Sequence, residues 1–364
     1  MARSVALISL HPLDQIGGGE RYTFCTWRSI RLAGDDCRLF SRSGGGPSSL
    51  PFNERLGTLF TEFGPEGEAI GNLSLRDLLL TLAGFDVVWI HQFLSSDAVF
   101  DIIAAVATDQ TLLFTNLGHE AVLPQFQAFY CRASNHFFVE ISDYAAMRSQ
   151  GFRGQSRGVI GSIWREQVAP MAAVPEEPEH QESCAVGRVL PHKGLEIAIS
   201  ALPEMWQLNI IGPFDDDSYL RHLRSVARHK NVRFLGPLPE ESKQSVLRRA
   251  RCLIASSCHE TYDGRRVPQA ELLGLVVFEA IGSGVLPVTS DIPSFHEVMT
   301  KLGLARFIYK ARDAGDLNRV LRSIGCLPAG SRRTLVRNAA ETIAHNYSWD
   351  DYWTRVVTAI ASPD

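Results

Sequence analysis

The sequence lacks the features that mark secreted, membrane-spanning and zinc-stabilised proteins. Its seven cysteines are odd in number and scattered, and none forms a Cys-x-x-Cys pair, so we expect reduced thiols and no disulfide framework or zinc site. No apolar run approaches the roughly 18 residues of a transmembrane helix, and the run at residues 5–10 is too short for a signal peptide. These absences predict a cytoplasmic protein.

The sequence also has no excess of basic over acidic residues. The chain has 36 Lys and Arg residues against 40 Asp and Glu residues, which gives a net charge of −4. Because nucleic-acid binding depends on many phosphate contacts from a basic face, we expect no nucleic-acid partner. The chain has no Walker loop, no Gly-x-Ser-x-Gly and no Gly-x-Gly-x-x-Gly, and its histidines show no metal-ligand spacing.

The 364 residues are enough for two domains with separate cores. Short apolar runs alternate with longer amphipathic stretches, which is typical of βαβ units on a parallel sheet. In the first half, the predicted strands are residues 5–10, 37–41, 87–91, 112–116, 136–141 and 158–163, and the main predicted helices are residues 20–33 and 96–107.

Residues 166–181 are rich in proline and glutamate and lack a sustained period, which indicates an exposed linker. We therefore predict domains at residues 1–165 and 182–345.

In the second domain, the predicted strands are residues 184–187, 207–211, 232–235, 252–255, 286–289 and 307–309, and the predicted helices are residues 195–202, 217–229, 240–249, 275–281 and 294–299. The simplest fold is α/β, with two doubly wound domains facing a cleft.

The stretch from residue 252 to 290 carries the strongest functional pattern. A strand-like run ends in two serines, a polar loop follows, and Glu271 and Glu279 then bracket the start of an apolar helix. The backbone N–H groups of Gly274, Leu275 and Val276 would point toward the loop, where an anion binds readily. Carboxylates for sugar hydroxyls beside N–H groups for a phosphate would suit a nucleotide sugar.

The sequence ELLGLVVFEAIGSGVLPV, residues 271–288, resembles the Glu-x7-Glu signature of retaining GT-B glycosyltransferases of family 4, the glycosyl transferases group 1. An extra segment that contains Asp263, Arg265 and Arg266 precedes the first glutamate, where this family has a short loop. The resemblance implies a GT-B fold of two Rossmann-like domains. The alternative is a surface helix with two solvated glutamates.

The sequence VGRVLPHKGLEIAISAL, residues 186–202, places Arg188 and Lys193 in a strand-to-helix turn. A departing diphosphate gains negative charge, so fixed cations stabilise the transition state more than the ground state. The stretch is similar to the Gly-Arg-Leu-x-x-x-Lys-Gly of the same family, which implies that the two cations hold the diphosphate of the donor. The alternative is two basic residues on an exposed loop.

Two first-domain loops carry weaker similarities. Gly18 and Gly19 end a glycine triplet before the first helix, similar to the glycine-rich loop that contacts donor phosphate or acceptor in the family; a plain turn is the alternative. His119 follows a strand and is similar to the histidine that faces the transferred sugar, although Glu120 replaces the aspartate of the family. A histidine that caps a loop is the alternative.

Two charged clusters invite other interpretations. The run of aspartates at residues 215–217 follows a strand and precedes an amphipathic helix, so we interpret it as a helix N-cap and predict no metal site. Arg21, Arg28 and Arg31 share one helix face with Trp27 nearby, which allows a weak peripheral contact with anionic lipid at the inner face of a membrane. A solvated face is the alternative.

Near the end of the chain, Ser348 and Trp349 precede an amphipathic stretch. In the resembled family a Ser-Trp marks the return of the chain to the first domain, which implies that residues 346–364 pack there. The alternative is a terminal helix on the second domain.

The resemblance implies an enzyme that moves a sugar from a nucleotide diphosphate sugar to an acceptor hydroxyl with retention, without a metal or cofactor. A UDP or GDP sugar is the expected donor. Arg188, Lys193, Glu271 and His119 are the implied catalytic residues, and Glu279 would bind the ribose diol. A nucleotide-sugar epimerase on the same fold and a catalytically silent nucleotide-sugar-binding protein remain as rival hypotheses.

Overall fold

The structure is a computed structural model of the chain that describes residues 2–10, 13, 18–42, 52–55, 59–61, 64–66, 69–91, 97–117, 133–148, 156–168 and 181–362. The chain divides into two compact units. The first comprises Met1–Gly161 and Trp349–Asp364, and the second comprises Ser162–Ser348.

The first unit is built on an eight-stranded sheet with the order β10-β9-β8-β7-β1-β2-β3-β6. Its strands are β1 Ser4–Ser9, β2 Asp36–Arg42, β3 Phe52–Arg55, β6 Ala69–Leu73, β7 Val87–His91, β8 Thr111–Thr115, β9 His136–Glu140 and β10 Ser156–Gly158, while β4 Leu59–Thr61 pairs with β5 Gly64–Glu66. Its helices are α1 Gly18–Leu32, α2 Leu75–Leu82, α3 Asp97–Ala105 and α4 Asp143–Arg148. Strands β1, β2 and β7 to β10 are parallel, and β3 and β6 continue the sheet as antiparallel strands.

The core of the first unit explains why its parallel strands are recognisable in the sequence. All five residues of β7 are buried, and Ile8, Val88, Ile90 and Phe114 belong to one apolar cluster. Strands of a parallel sheet are covered on both faces, so they appear as continuous apolar runs.

One predicted strand is wrong. The run at residues 158–163 was expected to be a strand, but the last strand of this sheet is Ser156–Gly158. The apolar residues that follow are buried against the end of the chain: a Cβ on Gly161 would lie 2.3 Å from the Trp349 ring. Ser162 donates its N–H to the carbonyl of Tyr347. The run is therefore apolar because it is packed, and not because it belongs to the sheet.

The second unit is a six-stranded parallel sheet with the order β13-β12-β11-β14-β15-β16. The strands are β11 Glu182–Val186, β12 Gln207–Ile211, β13 Val232–Gly236, β14 Cys252–Ala255, β15 Leu286–Ser290 and β16 Ile308–Tyr309. The helices are α5 Leu195–Ala201, α6 Asp217–Val226, α7 Glu240–Arg249, α8 Leu275–Gly282, α9 Pro293–Lys301, α10 Ala314–Gly325 and α11 Ala329–Asn346. The strand order reverses between β11 and β14, which is where open α/β sheets bind ligands.

The division between the two compact units lies ahead of the predicted linker at residues 166–181. The second unit starts at Ser162, and the described part of the predicted linker, residues 166–168, belongs to it. Arg165 donates from Nε to the carbonyl of Ala344 over 2.9 Å. A Cβ on Gly282 would lie 2.9 Å from Ile163 Cδ1. These contacts hold the segment on α8 and α11, and residues 169–180 lie outside the described part of the chain.

The chain ends on the first unit. A 3₁₀ turn, Trp349–Asp351, leads into α12, Tyr352–Ala361. Trp353 donates its backbone N–H to Ser29 Oγ over 3.0 Å and its indole N–H to Asp35 Oδ2 over 2.6 Å. The Trp353 side chain is 1% exposed. The terminal helix therefore completes the core of the first unit.

Trp27, the aromatic residue of the predicted lipid contact on α1, is buried in the structure. Trp27 is 6% exposed and donates its indole N–H to the carbonyl of Cys37. Arg31 covers the ring, with its guanidinium carbon 4.9 Å from the ring centre. Trp27 is therefore a core residue. None of the described helices is long and apolar enough to cross a membrane.

Candidate functional site

The loops of interest follow β11 and β14 at their carboxyl ends. Gly187 ends β11 with φ 136°, and a Cβ on Gly212 would lie 1.9 Å from the Gly187 carbonyl oxygen. The turns after β11 and β12 are thus in backbone contact. Arg188 follows this contact and is exposed, and within the described part of the chain its guanidinium makes no hydrogen bond or ion pair. Arg188 is therefore an exposed cation at the carboxyl edge of the sheet.

Lys193 lies at the end of a 3₁₀ turn, Pro191–Lys193, that is bonded to the segment after β14. The Lys193 carbonyl accepts a hydrogen bond from Ser256 Oγ over 2.7 Å, and Cys258 donates its N–H to the His192 carbonyl over 2.8 Å. Gly194 follows with φ 58°, and a Cβ there would lie 2.3 Å from the Ser256 carbonyl oxygen. Only glycine fits this position, because both the φ and the close approach exclude a side chain.

Lys193 and Glu271 form an ion pair, with Nζ 2.6 Å from Oε2. Burial opposes ionisation of the carboxyl, but the charge and hydrogen bond of Lys193, with smaller contributions from His192 and the Leu272 N–H, lower the pKa of Glu271 below its usual range. The two side chains are 24% and 19% exposed, respectively. The structure therefore brings the two motifs that the sequence singled out into direct contact.

Helix α8 begins where the sequence predicted. Its N-cap is Gly274, with φ 83°, and a Cβ there would lie 2.4 Å from Phe295 Cε1. Leu275 and Val276 are the first helical residues and are half-buried. Their N–H groups have no partner four residues earlier in the helix, so they carry the partial positive charge of its N-terminus.

Glu279 lies one turn farther along α8 and contacts a residue that the sequence did not single out. Its Oε2 is 3.5 Å from Nζ of Lys243 on α7, and the same Nζ is 2.7 Å from Glu240 Oε2. Lys243 is 8% exposed. Its spacing of three residues from Glu240 was visible in the sequence, but that pattern is typical of solvated helix faces.

The extra segment before Glu271 folds into a short hairpin, residues 259–267, which we call the inserted hairpin. Glu260 pairs with Arg266 in an antiparallel bridge, and Val267 donates its N–H to the His259 carbonyl over 2.8 Å. Gly264 stands near the tip with φ 80°. The insertion is therefore an ordered element, although no alternating pattern in the sequence predicted it.

The inserted hairpin is anchored on two sides. The Tyr262 ring stacks on the His222 ring of α6, with centres 4.3 Å apart and planes at 20°. Arg312, after β16, donates from Nη1 to the carbonyls of Glu260 and Thr261 over 2.5 and 2.6 Å. These contacts fix the hairpin beside the turn that carries Lys193.

A buried polar pair closes the N-terminus of α5. Tyr219 accepts a hydrogen bond from the Leu195 N–H over 2.8 Å and donates to Glu196 Oε2 over 2.5 Å. Burial, followed by the charge of Glu196, raises the pKa of Tyr219 well above its usual value. The first N–H of α5 is therefore bonded within the protein, in contrast to the start of α8.

The aspartate run is a helix cap, as predicted. Asp216 is the N-cap of α6, and its Oδ1 accepts the Tyr219 N–H over 2.9 Å. Hydrogen bonds from the Ser218 hydroxyl and the Tyr219 N–H lower the pKa of Asp216. Among the described residues, no three His, Cys, Asp or Glu side chains are grouped so that they could hold a metal ion.

The site residues predicted in the first unit are Gly18, Gly19 and His119. Gly18 and Gly19 are the first two residues of α1, and a Cβ on Gly18 would meet nothing within 4 Å. Close packing within the described residues therefore does not require glycine at position 18. His119 and Glu120 lie outside the described residues, and their roles stay predictions.

Comparison with known proteins shows a family similarity within the second unit. Residues 171–342 match the model of the family described as glycosyl transferases group 1. The chain is similar to an uncharacterized glycosyltransferase of Methanocaldococcus jannaschii, 25% identical over 202 residues that cover 53% of this chain and 47% of that protein. A phosphatidyl-myo-inositol mannosyltransferase of Mycolicibacterium smegmatis is 28% identical over 166 residues, 44% of this chain and 39% of that protein. The matches span less than half the length of these two relatives.

The similarity to solved structures covers nearly the whole chain, beyond the residues 171–342 that the family model matches. A glycosyltransferase from Rickettsia africae superposes with a TM-score of 0.73 over 99% of this chain and 98% of that chain, at 11% identity. At this identity the likeness shows the fold alone. The predicted architecture, two parallel-sheet Rossmann-like units of the GT-B class, is confirmed.

Proposed function

We propose that this protein is a glycosyltransferase that moves a sugar from a nucleotide diphosphate sugar, a UDP or GDP sugar, to an acceptor hydroxyl with retention of anomeric configuration. The observation that supports this proposal is the 2.6 Å contact between Lys193 and Glu271 in front of α8. In this proposal, Lys193 is the cation for the diphosphate and Glu271 is the carboxylate for sugar hydroxyls.

The leaving diphosphate is stabilised by protein groups in this proposal. Arg188 and Lys193 neutralise its charge, and the N–H groups of Leu275 and Val276 at the start of α8 add to them. Such preorganised donors act most strongly on charge that develops in the transition state. A metal ion is not required for this role.

The transferred sugar lies against Glu271, which accepts hydrogen bonds from its hydroxyls, and Glu279 binds the ribose diol. A role of His119 at the transferred sugar stays a prediction from the family resemblance. For retention, we propose that the acceptor attacks from the face that the diphosphate leaves, and that a phosphate oxygen of the leaving group accepts the proton of the acceptor hydroxyl. No protein nucleophile takes part.

Product analysis tests the proposed function. The protein is first screened by thermal shift against UDP and GDP sugars, because ligand binding to the native state raises its apparent stability. The donors that bind are then incubated with a panel of sugar and lipid acceptors, with and without excess EDTA, and the products are characterised by NMR.

We expect a new glycoside with the anomeric configuration of the donor, formed equally with EDTA. An epimerised sugar with free nucleoside diphosphate would indicate the epimerase. Donor binding without turnover would indicate the silent binding protein. Loss of turnover in EDTA with recovery on adding magnesium would contradict metal independence.

A further inference from the structure

Helices α7 and α8 are joined by a ring of polar contacts beside the proposed donor site. Lys243 Nζ lies between Glu240 Oε2 at 2.7 Å and Glu279 Oε2 at 3.5 Å. Gln244 donates from Nε2 to Glu240 Oε1 over 2.9 Å and accepts from the Ser283 hydroxyl over 2.6 Å. The Ser283 hydroxyl is also 2.7 Å from the Glu279 carbonyl oxygen, which closes the ring.

The ring holds an ammonium group that is nearly removed from solvent. Lys243 is 8% exposed, and the side chains of Glu240 and Glu279 are 23% and 17% exposed. A buried ammonium must be paired, because desolvation of an isolated charge is costly. In the ring, one ammonium group is shared between two carboxylates.

We infer that Lys243 is a positioning residue for the ribose-binding carboxylate of Glu279, an inference that rests on the proposed function. The two hydroxyls of a ribose diol donate hydrogen bonds, and a carboxylate accepts both only when it is ionised and held in one orientation. Lys243 holds the Glu279 carboxylate through its ion pair at 3.5 Å, and the ring fixes its direction. The lysine itself need not touch the nucleotide.

The test compares ribose with dideoxyribose ligands, because a general loss of structure would weaken both alike. Binding of the four common ribonucleoside 5′-diphosphates, and of their 2′,3′-dideoxy forms, is measured by calorimetry on the full chain. A hydrogen bond to a charged group contributes about tenfold in affinity. We therefore expect the wild-type protein to bind at least one ribonucleoside diphosphate about tenfold or more tightly than its dideoxy form.

In Lys243→Met this preference should fall to nearly one, and the ribonucleoside diphosphate should bind about tenfold more weakly. Lys243→Arg, which keeps the charge, should retain most of the preference. Lys301→Met is the matched control, since Lys301 pairs with Glu297 on α9 at 3.1 Å; it should behave as wild type. Lys243→Gln provides the same measurement if the methionine variant does not fold.

The possible outcomes distinguish a failure of the role of Lys243 from a failure of the proposed function. If the wild-type protein binds none of the diphosphates, both the proposed function and the role of Lys243 are overturned. If it binds them without a ribose preference, or if Lys243→Met and Lys243→Gln keep the full preference, the role of Lys243 alone is overturned.

Discussion

Lys193 and Glu271 stand 78 positions apart in the chain, and their contact joins the two motifs of the proposed donor site. The sequence indicated each residue through its motif, and parallel topology explains why they meet, since the strands before them, β11 and β14, are neighbours. Lys243 could not be found in this way. Its surroundings, EESK, are those of an exposed helix, and only packing of α7 against α8 makes it a buried partner of Glu279.

Replacing either cation should remove charge stabilisation of the leaving diphosphate. We expect Arg188→Ala and Lys193→Ala each to lower turnover by about 10²-fold or more at saturating donor. Arg319→Ala is the control, because Arg319 is an exposed residue of α10 whose partner is Asp316. Wild-type turnover in either site variant would refute the diphosphate assignment.

The ion pair should also leave a signature in the pH dependence of stability. Because the pKa of Glu271 is lowered in the folded state, the pair stabilises the fold above the ordinary carboxyl pKa, and this contribution is lost as pH falls through the lowered value. The difference in unfolding free energy between wild type and Lys193→Met should therefore shrink between pH 6 and pH 3. A difference that stays constant over that range, measured by denaturant titration, would contradict the pairing.

At the scale of elements, the sequence predicted what apolar periodicity and cap chemistry determine. Strands 207–211 and 252–255 and helix 240–249 have the bounds that were expected. The inserted hairpin was missed because its order comes from tertiary contacts of Tyr262 and Arg312, and not from alternation. The strand expected at residues 158–163 failed for the converse reason, since an apolar run can be buried by another segment without joining a sheet.

Gly264 and Gly274 both have a left-handed backbone, but only Gly274 is crowded by a neighbouring side chain. Gly264 and Gly274 have φ of 80° and 83°, but a Cβ meets nothing within 4 Å at Gly264 and meets Phe295 Cε1 at 2.4 Å at Gly274. Gly264→Ala should cost about 1–2 kcal/mol of stability from its left-handed backbone alone. Gly274→Ala should cost more and weaken diphosphate binding by displacing the start of α8. Equal destabilisation in urea titrations would show that Phe295 does not restrict this position.

For the whole molecule, the chain crosses between its units twice, once near Ser162 and once near Trp349. The sequence pattern located the alternation of each unit. It did not mark the division at residues 161–162, because that division lies inside the apolar run at residues 158–163 and no change of composition accompanies it. The last helix belongs to the first unit, where three aromatic residues fill its core: Trp349, Tyr352 and Trp353.

This assignment predicts a selective effect of a terminal substitution. Trp353→Ala should destabilise the first unit by about 3–5 kcal/mol, as expected for truncation of a buried tryptophan. Amide hydrogen exchange should then lose protection in α1, whose Ser29 accepts the Trp353 N–H, while α7 and α11 of the second unit keep theirs. Thr354→Ala, at an exposed position of the same helix, is the control. Unchanged protection in α1 would contradict the assignment.

Calorimetry on Glu271→Gln and Glu279→Gln tests the proposed donor site most directly. Glu279 is assigned to the ribose, so Glu279→Gln should lower the affinity for both the free nucleoside diphosphate and its sugar conjugate. Glu271 is assigned to the sugar, so Glu271→Gln should lower turnover and leave the affinity for the free diphosphate nearly unchanged. Equal loss of diphosphate affinity in both variants, or loss in the Glu271 variant alone, would contradict the account.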